Sequence, residues 1–369
     1  MLKRHFTITF LATLLALLVL ASCQSQGVVP KIGADLTTTG VVGFWGESVQ
    51  KGMQLASDEY TRQHPDKPVE VLYQDNQGDP KNAVSIMRKF CSVDKVAVVV
   101  STMTPFSKPL RPLAAEFKTP LLGTIVVAIG FGKENDWSFR DYPTPEQLAA
   151  RVADYGYRTL GLRRAVSLVV NDEYGKDGET IFKSSFEKLG GSLVASDTMS
   201  QKDTDARTQI TKLLAQKPDT ALLVIRDNAL GTAVRQFREL GFKGQILGIN
   251  AFDSPLVWQA SGAYGDGVVF ASAYIDYDGD PKAGAFAKAF RAKYAEEPSH
   301  SHAYGYSIGL YLMNLAAEAK GDPVKMRDLL SKLDQDSIRG HLKMLESRDV
   351  LTAVAVYKRN AGHNTIMEK

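Results

Sequence analysis

The residues best placed for chemistry follow a buried-looking apolar run: Val96 to Val100 gives way to Ser101, Thr102 and Thr104 in "VAVVVSTMT". A second apolar run, Thr119 to Leu122, leads into another loop at Thr124 to Ala128. Between the two lies a helical pattern, so the stretch reads as strand, loop, helix and strand. Loops that follow the strands of a parallel sheet emerge on one edge. Thr102, Thr104 and the segment 124–128 are therefore predicted to face a common crevice. Hydroxyls and backbone amides there suit hydrogen bonding to a small polar ligand.

Other spacings that carry chemistry are missing or weak. The chain has no GxSxG elbow, no Walker loop and no glycine fingerprint, since "GADLTTTG" after the first strand has the wrong spacing. His300 and His302 in "PSHSHAYGY" have no Cys or HExxH companion and read as the polar approach to a helix rather than metal ligands. "DYDGDP" lacks the full twelve-residue calcium loop and reads as a turn. His64, His341 and His363 sit in polar stretches and read as solvated. No catalytic residue, metal or cofactor is implied, and the chain is expected not to be an enzyme.

The elements that must position a crevice repeat one rhythm. A strand "VVPKIGADL" precedes Gly40, Gly43 and Gly46 and an amphipathic helix from about Glu47 to Gln63. The strand "VEVLYQDN" follows, then a helix started by Asp79 as N-cap with Pro80 in its first turn. The alternation returns from Ser167 with "SLVVNDEYG", "GSLVASDTM", "TALLVIRDN" and "QILGINAFD", each separated by a helix. Strands alternating with helices of this length predict parallel sheets covered on both faces. The polar, proline-bearing stretch Arg140 to Pro145 reads as a passage between two lobes, and Gly267 to Gly279 as a return passage. Three helices and an apolar alternating run, "LTAVAVYKR", complete the chain; the run is expected to pair with "GHLKML".

The N-terminus has the parts of an export signal. Lys3 and Arg4 precede an uncharged apolar run from Phe6 to Leu20, too short to favour a membrane span, and "LASC" ends in Cys23. That string resembles a bacterial lipobox, which implies lipid on Cys23 as the first mature residue and a folded body anchored to a membrane in the periplasm or outside the cell. Only Cys91 remains, so no intrachain disulfide is available; Cys91 reads as a small apolar residue on the inner face of its helix. The mature length of about 350 residues exceeds what one core usually serves and predicts two lobes. The net charge of +3 falls close to neutral once Lys3 and Arg4 are removed, which gives no footprint for nucleic acid.

Taken in order, "GADLTTTGVVGFWGESVQKGMQLASDE", "YQDNQGDPKNAVSIMRKF", "PLAAEFKTPLLG", "FRDYPTPEQ", "VVNDEYGKDG", "TQITKLLAQKPDTALLV" and "VRQFRELGFKGQILG" resemble the type I periplasmic binding proteins. The branch they are most similar to is that of the leucine, isoleucine and valine receptors of ABC importers. The resemblance spans nearly all of the mature chain. It implies an α/β fold of two doubly wound parallel-sheet lobes joined by three hinge strands, with ligand trapped as the lobes close. The corresponding division is 1–22 signal peptide, 23–142 with 270–345 for the first lobe, and 143–269 with 346–369 for the second.

The resemblance also implies a site. Trp45 in "GFWG" matches an aromatic that packs on the ligand from the first lobe. Met103 and Thr104 fall where the family offers a hydroxyl and an amide to an α-carboxylate, although the usual glycine and paired serine are absent. Ile125 to Ala128 match a loop that binds an α-ammonium; here "IVVA" leaves only backbone groups, placed at Val126 and Ala128. Tyr174 in "NDEYG" matches the aromatic that closes from the second lobe, and Tyr304 an aromatic near the cleft. Arg226 stands where the family often has an aromatic, and Asn250 where amino-acid receptors carry an acid.

One departure adds a cation and the other removes an anion, which predicts a ligand less positive than an amino acid, such as an organic carboxylate. Against that reading, Asp253, Asp172 or Asp227 could pair with Arg226 or take over the ammonium. The functional expectation is a lipid-anchored, monomeric receptor that delivers a small amino-acid-like or carboxylate ligand to an ABC permease. The alternative is a lipoprotein of the same fold that senses a ligand and regulates a membrane partner without transport.

Overall fold

The computed structural model describes residues 29–133 and 135–369. The expected signal peptide and the lipid-bearing Cys23 lie outside the described residues. No helix among the described residues is long and apolar enough to cross a membrane.

The first sheet is five-stranded and wholly parallel, in the order β2-β1-β3-β4-β5. Its strands are β1 (Lys31–Leu36), β2 (Glu70–Asp75), β3 (Val98–Thr102), β4 (Leu121–Thr124) and β5 (Ser138–Arg140). β3 is buried along its whole length, which explains its unbroken apolar run: helices cover both faces of the sheet. Those between the strands are α1 (Gly43–Gln63), α2 (Pro80–Lys89) and α3 (Arg111–Phe117). The Asp79 carboxylate accepts a hydrogen bond from Lys81 N at 2.7 Å, so α2 starts at the expected cap.

The chain then passes through 141–144 into α4 (Pro145–Asp154), whose capping box joins Thr144 to Gln147. Beyond it lie β6 (Arg164–Val170), α5 (Glu173–Lys188), β7 (Ser192–Met199), α6 (Arg207–Leu214), β8 (Thr220–Val224), α7 (Asp227–Glu239), β9 (Gln245–Gly248), α8 (Pro255–Ser261) and β10 (Val269–Ala273). After α9 (Pro281–Tyr294), α10 (His300–Ala319) and α11 (Pro323–Leu330) comes a small antiparallel hairpin, β11 (Asp334–Ser337) with β12 (Gly340–Lys343). β13 (Val354–Asn360) and β14 (His363–Glu368) end the chain. The second sheet has seven strands in the order β14-β13-β10-β9-β8-β6-β7, with β13 and β14 antiparallel to their neighbours.

Two expectations about strands need correction. "LTAVAVYKR" meets "GHLKML" only at its first residue, where Leu351 N donates to Lys343 O at 2.8 Å; β13 lies between β10 and β14, and β12 pairs with β11. The run is apolar because its residues 355–357 are buried in a large sheet, which a two-stranded hairpin could not provide. The segment from 270 onward, expected to open the return to the first lobe, begins inside the second sheet. All five residues of β10 are buried, which requires a neighbour on each side, and β9 and β13 supply them.

α1 and α10 pack backbone to backbone through glycines. A Cβ on Gly305 would lie 2.2 Å from Val49 O, and one on Gly52 would lie 2.1 Å from His302 O. Alanine is favoured over glycine in a helix by about 1 kcal/mol, whereas overpacking costs about 1–3 kcal/mol or more, and here backbone atoms block the added methyl. Gly305→Ala is therefore expected to lower the thermal midpoint. An unchanged midpoint would mean that the two helices separate freely.

Candidate ligand-binding cleft

In the first sheet the chain leaves β1 toward β2 on one side and then returns to β3 on the other, and in the second it does the same from β6 to β7 and back to β8. Loops diverge at such reversals and open a crevice at the carboxyl ends of the strands. Met103 follows β3, Ile125 follows β4, Tyr174 lies beyond β6, Arg226 follows β8, and Asn250 follows β9. With Trp45, Thr104 and Ala251 they line one small cavity between the sheets. Its free space is about 10 Å³, room for about one water molecule.

Side chains from the two sides meet directly in the cavity. Trp45 Nε1 donates to Asp227 Oδ2 at 3.2 Å. Farther out, Ile129 N donates to Asp177 Oδ2 at 2.8 Å, and Lys108 is ion-paired with Glu173. The Arg226 guanidinium lies over the Tyr174 ring, 4.1 Å from its centroid, and its Nη1 donates to Asp172 Oδ2 at 2.7 Å. Asp172 is thus the partner of Arg226, the possibility set against a free cation. The same carboxylate caps α5 through Gly175 N at 3.2 Å. Tyr174 Oη donates to Asn250 Oδ1, and Asn250 Nδ2 donates to Tyr142 Oη, both at 3.3 Å.

Three residues here have a positive φ without being glycine: Met103 (+68°), Ile125 (+56°) and Asp227 (+50°). The conformation is least favourable for β-branched Ile125, and such strain costs about 1–3 kcal/mol per residue. These three are buried, whereas the other non-glycine residues with positive φ are not, and this buried strain marks the cavity as the functional part of the sheet edge.

The structure brings Trp45, Met103, Thr104, Tyr174, Arg226 and Asn250 together, and it puts four other expected site residues elsewhere. Val126 is fully buried and turned toward Gly123, and Ile125 is the lining residue of that loop. Ala128 O accepts Arg140 Nη1 at 2.6 Å. Asp253 is buried beside His300 Nδ1 at 3.2 Å and also accepts the Ser272 hydroxyl. Tyr304 lies behind the site, packed between Tyr142 and Arg339.

The hydroxyls expected in the crevice hold loops instead. Thr104 Oγ1 donates to Val127 O and accepts from Val127 N, both at 3.1 Å. Thr102 Oγ1 accepts Thr37 N at 3.4 Å, and Thr124 Oγ1 donates to Asp141 O at 3.1 Å. Buried backbone groups at strand ends need partners, and these side chains supply them. Sequence reasoning did not single out Tyr142 or Ala251; an aromatic in the first passage between lobes was the available signal for Tyr142.

Burial raises three carboxyl groups from an ordinary 3.8: Asp35 to about 7, Asp227 to about 6, and Asp177. Donors partly offset the effect, Asn76 and Ser101 at Asp35, and Ser254 and Trp45 at Asp227. An acid that holds its proton more tightly in the folded chain stabilises the fold while protonated. That contribution is complete near and below pH 4 and is lost as pH rises through the folded values. Unfolding free energy from these groups is expected to fall between about pH 4 and 7. Asp35→Asn should remove the upper part of the fall, and an unaltered profile would place the titration in other groups.

Two doubly wound sheets facing each other across strand-end loops, with an aromatic and a cationic wall, define a two-lobed solute-binding protein. The chain belongs to the periplasmic binding protein family, whose model, described as "Periplasmic binding protein", matches residues 30–362. The Leu/Ile/Val-binding protein BraC3 of Rhizobium johnstonii is 26% identical over 291 residues, covering 77% of this chain and 78% of that protein. The fold is that of the leucine-binding protein LivK of Thermotoga maritima, with a TM-score of 0.85 at 23% identity over 92% of this chain and 97% of that one. A solute-binding protein of R. palustris in complex with benzoate has a TM-score of 0.84 at 18% identity, covering 92% and 96%. This is the type I periplasmic binding protein fold, and its family consists of extracytoplasmic substrate-binding proteins, not enzymes.

Proposed function

We propose that the protein is a lipid-anchored receptor of an ABC importer. It captures a small amino-acid-like or organic carboxylate between its lobes and works as a monomer with a membrane permease. The observation that carries this reading is Arg226, a buried cation lining the cavity, laid over Tyr174 and held by Asp172. A guanidinium is shaped for bidentate capture of a carboxylate, and the ring beneath it receives an apolar side chain. The pairing with Asp172 removes the argument that the site must reject an ammonium. A zwitterion would draw its carboxylate to Arg226 and its ammonium to Asp172; a simple acid would compete with Asp172 for the cation. Support for both ligand types comes from the relatives, one named for leucine, isoleucine and valine and another holding benzoate.

The test is thermal unfolding with leucine against 2-oxoisocaproate, phenylalanine against phenylpyruvate, and benzoate. Ligand at a hundred times its dissociation constant adds about 2.7 kcal/mol, which raises the midpoint by several degrees. Shifts with acids alone would select the carboxylate reading, and shifts with amino acids alone would select the zwitterion. No shift with any of them would overturn the proposal.

A further inference from the structure

Outside the cleft, a larger cavity of about 480 Å³ opens on the outer face of the first lobe, between the end of α1, α9, α10 and the β11–β12 hairpin. Its volume is in the range of sites for small organic molecules. Phe286 and Tyr306 form an aromatic wall, with ring centroids 4.8 Å apart, and Leu310 extends it along α10. Ser307, only 3% exposed, lines the same space, and its hydroxyl has no hydrogen-bond partner among the described residues. A buried hydroxyl without a partner is costly, and a ligand atom seated in the cavity would satisfy it.

The charges at the rim distinguish what would bind. Glu59 already accepts the Tyr306 hydroxyl at 2.6 Å and Gln63 Nε2 at 3.0 Å. Asp336 faces His341 Nδ1 at 3.0 Å and Lys282 Nζ at 4.0 Å. Arg62, on the last turn of α1, has no ion-pair partner among the described residues. The uncommitted groups are therefore a guanidinium at the rim, a hydroxyl in the wall and an apolar surface between them.

We propose that this cavity is a second ligand site, separate from the cleft, for a small amphipathic anion: an aromatic or branched apolar body with one carboxylate. The apolar body lies against Phe286, Tyr306 and Leu310, and Arg62 takes the carboxylate. α1, which lines the cavity with Glu59 and Arg62 at its C-terminal end, carries the cleft residue Trp45 in its first turn.

The probe is naphthalene-2-carboxylate, titrated into the protein by calorimetry beside its uncharged analogue 2-naphthamide. Ala289→Trp fills the mouth of the cavity from an exposed position on α9, and Arg62→Gln removes the anchor. Because the cleft takes aromatic carboxylates in the function proposed above, both variants are made on Arg226→Ala, which lacks the cleft's anchor. The expected result is that Arg226→Ala binds the carboxylate, that adding Ala289→Trp abolishes this binding, and that adding Arg62→Gln weakens it at least tenfold. Weaker binding of the amide than of the acid is also expected. The proposal is overturned if the carboxylate fails to bind at millimolar concentration. It is equally overturned if Arg226→Ala removes binding altogether, or if in that background Ala289→Trp leaves binding intact or acid and amide bind alike.

Discussion

Asp141→Ala is expected to destabilise the protein by about 3–5 kcal/mol, the cost of leaving a buried charge without its partner. Asp141 is fully buried where the chain first leaves the five-stranded sheet. It accepts Arg339 Nη1 at 2.8 Å, Arg339 Nη2 at 2.6 Å and the Tyr311 hydroxyl at 2.8 Å. The Arg339 guanidinium lies 4.0 Å from the centroid of the Tyr304 ring, and Asp141 holds it firmly protonated despite its burial. The variant leaves that cation with only an aromatic face, which is worth about 2 kcal/mol at best. Urea unfolding measures the effect. The double variant Asp141→Leu with Arg339→Met should regain much of the loss, because replacing both members of a buried pair by apolar groups is often neutral. If Asp141→Ala unfolds at the wild-type midpoint, water reaches Arg339 and the pair contributes little.

Arg226→Ala is expected to weaken carboxylate binding by about 2–5 kcal/mol, the range for truncating one partner of a buried hydrogen-bonded charge pair. In dissociation constants this is roughly thirtyfold to several thousandfold. Asp172→Asn separates the two ligand classes. Asparagine retains the N-cap of α5 but no longer neutralises the guanidinium. Simple acids should then bind more tightly, having lost a competitor, whereas amino acids should bind less tightly, having lost the group that receives the ammonium. Calorimetry on both variants reads this directly. Unchanged affinity in Arg226→Ala would remove Arg226 as the anchor.

The parts legible in the sequence were those set by periodicity and order. Apolar runs such as Val96 to Val100 announced strands buried on both faces, and the alternation of strands with helices implied parallel sheets whose loops share an edge. Side-chain direction after a strand end was not legible, because one positive φ redirects everything beyond it. In "TIVVA", Ile125 takes that conformation and reaches the cavity, while Val126 turns into the core. Met103 likewise adopts a backbone conformation that glycine holds at lower cost, so a residue type that argued against the expected loop geometry occupies a left-handed position there. The Arg226–Asp172 pair joins residues 54 positions apart, and composition left three carboxylates open as its partner. "LTAVAVYKR" misled because an apolar alternation reports burial but does not say which strands do the burying.

The contact between Trp45 and Asp227 has a consequence for the concentration at which the protein fills with solute. A hydrogen bond between the lobes, made by side chains that line or adjoin the cavity, makes those side chains competitors for the space a solute must enter. The apparent dissociation constant is then the intrinsic one divided by the fraction of molecules whose cleft is accessible. A tenfold self-occluded population would shift the half-saturation point tenfold upward with no change in any contact to the solute. Sensitivity is thus adjustable at Asp227, which bonds Trp45 without lining the cavity, while Arg226 and the other lining residues stay in place, so descendants of one gene would follow different solute abundances while recognising the same compound.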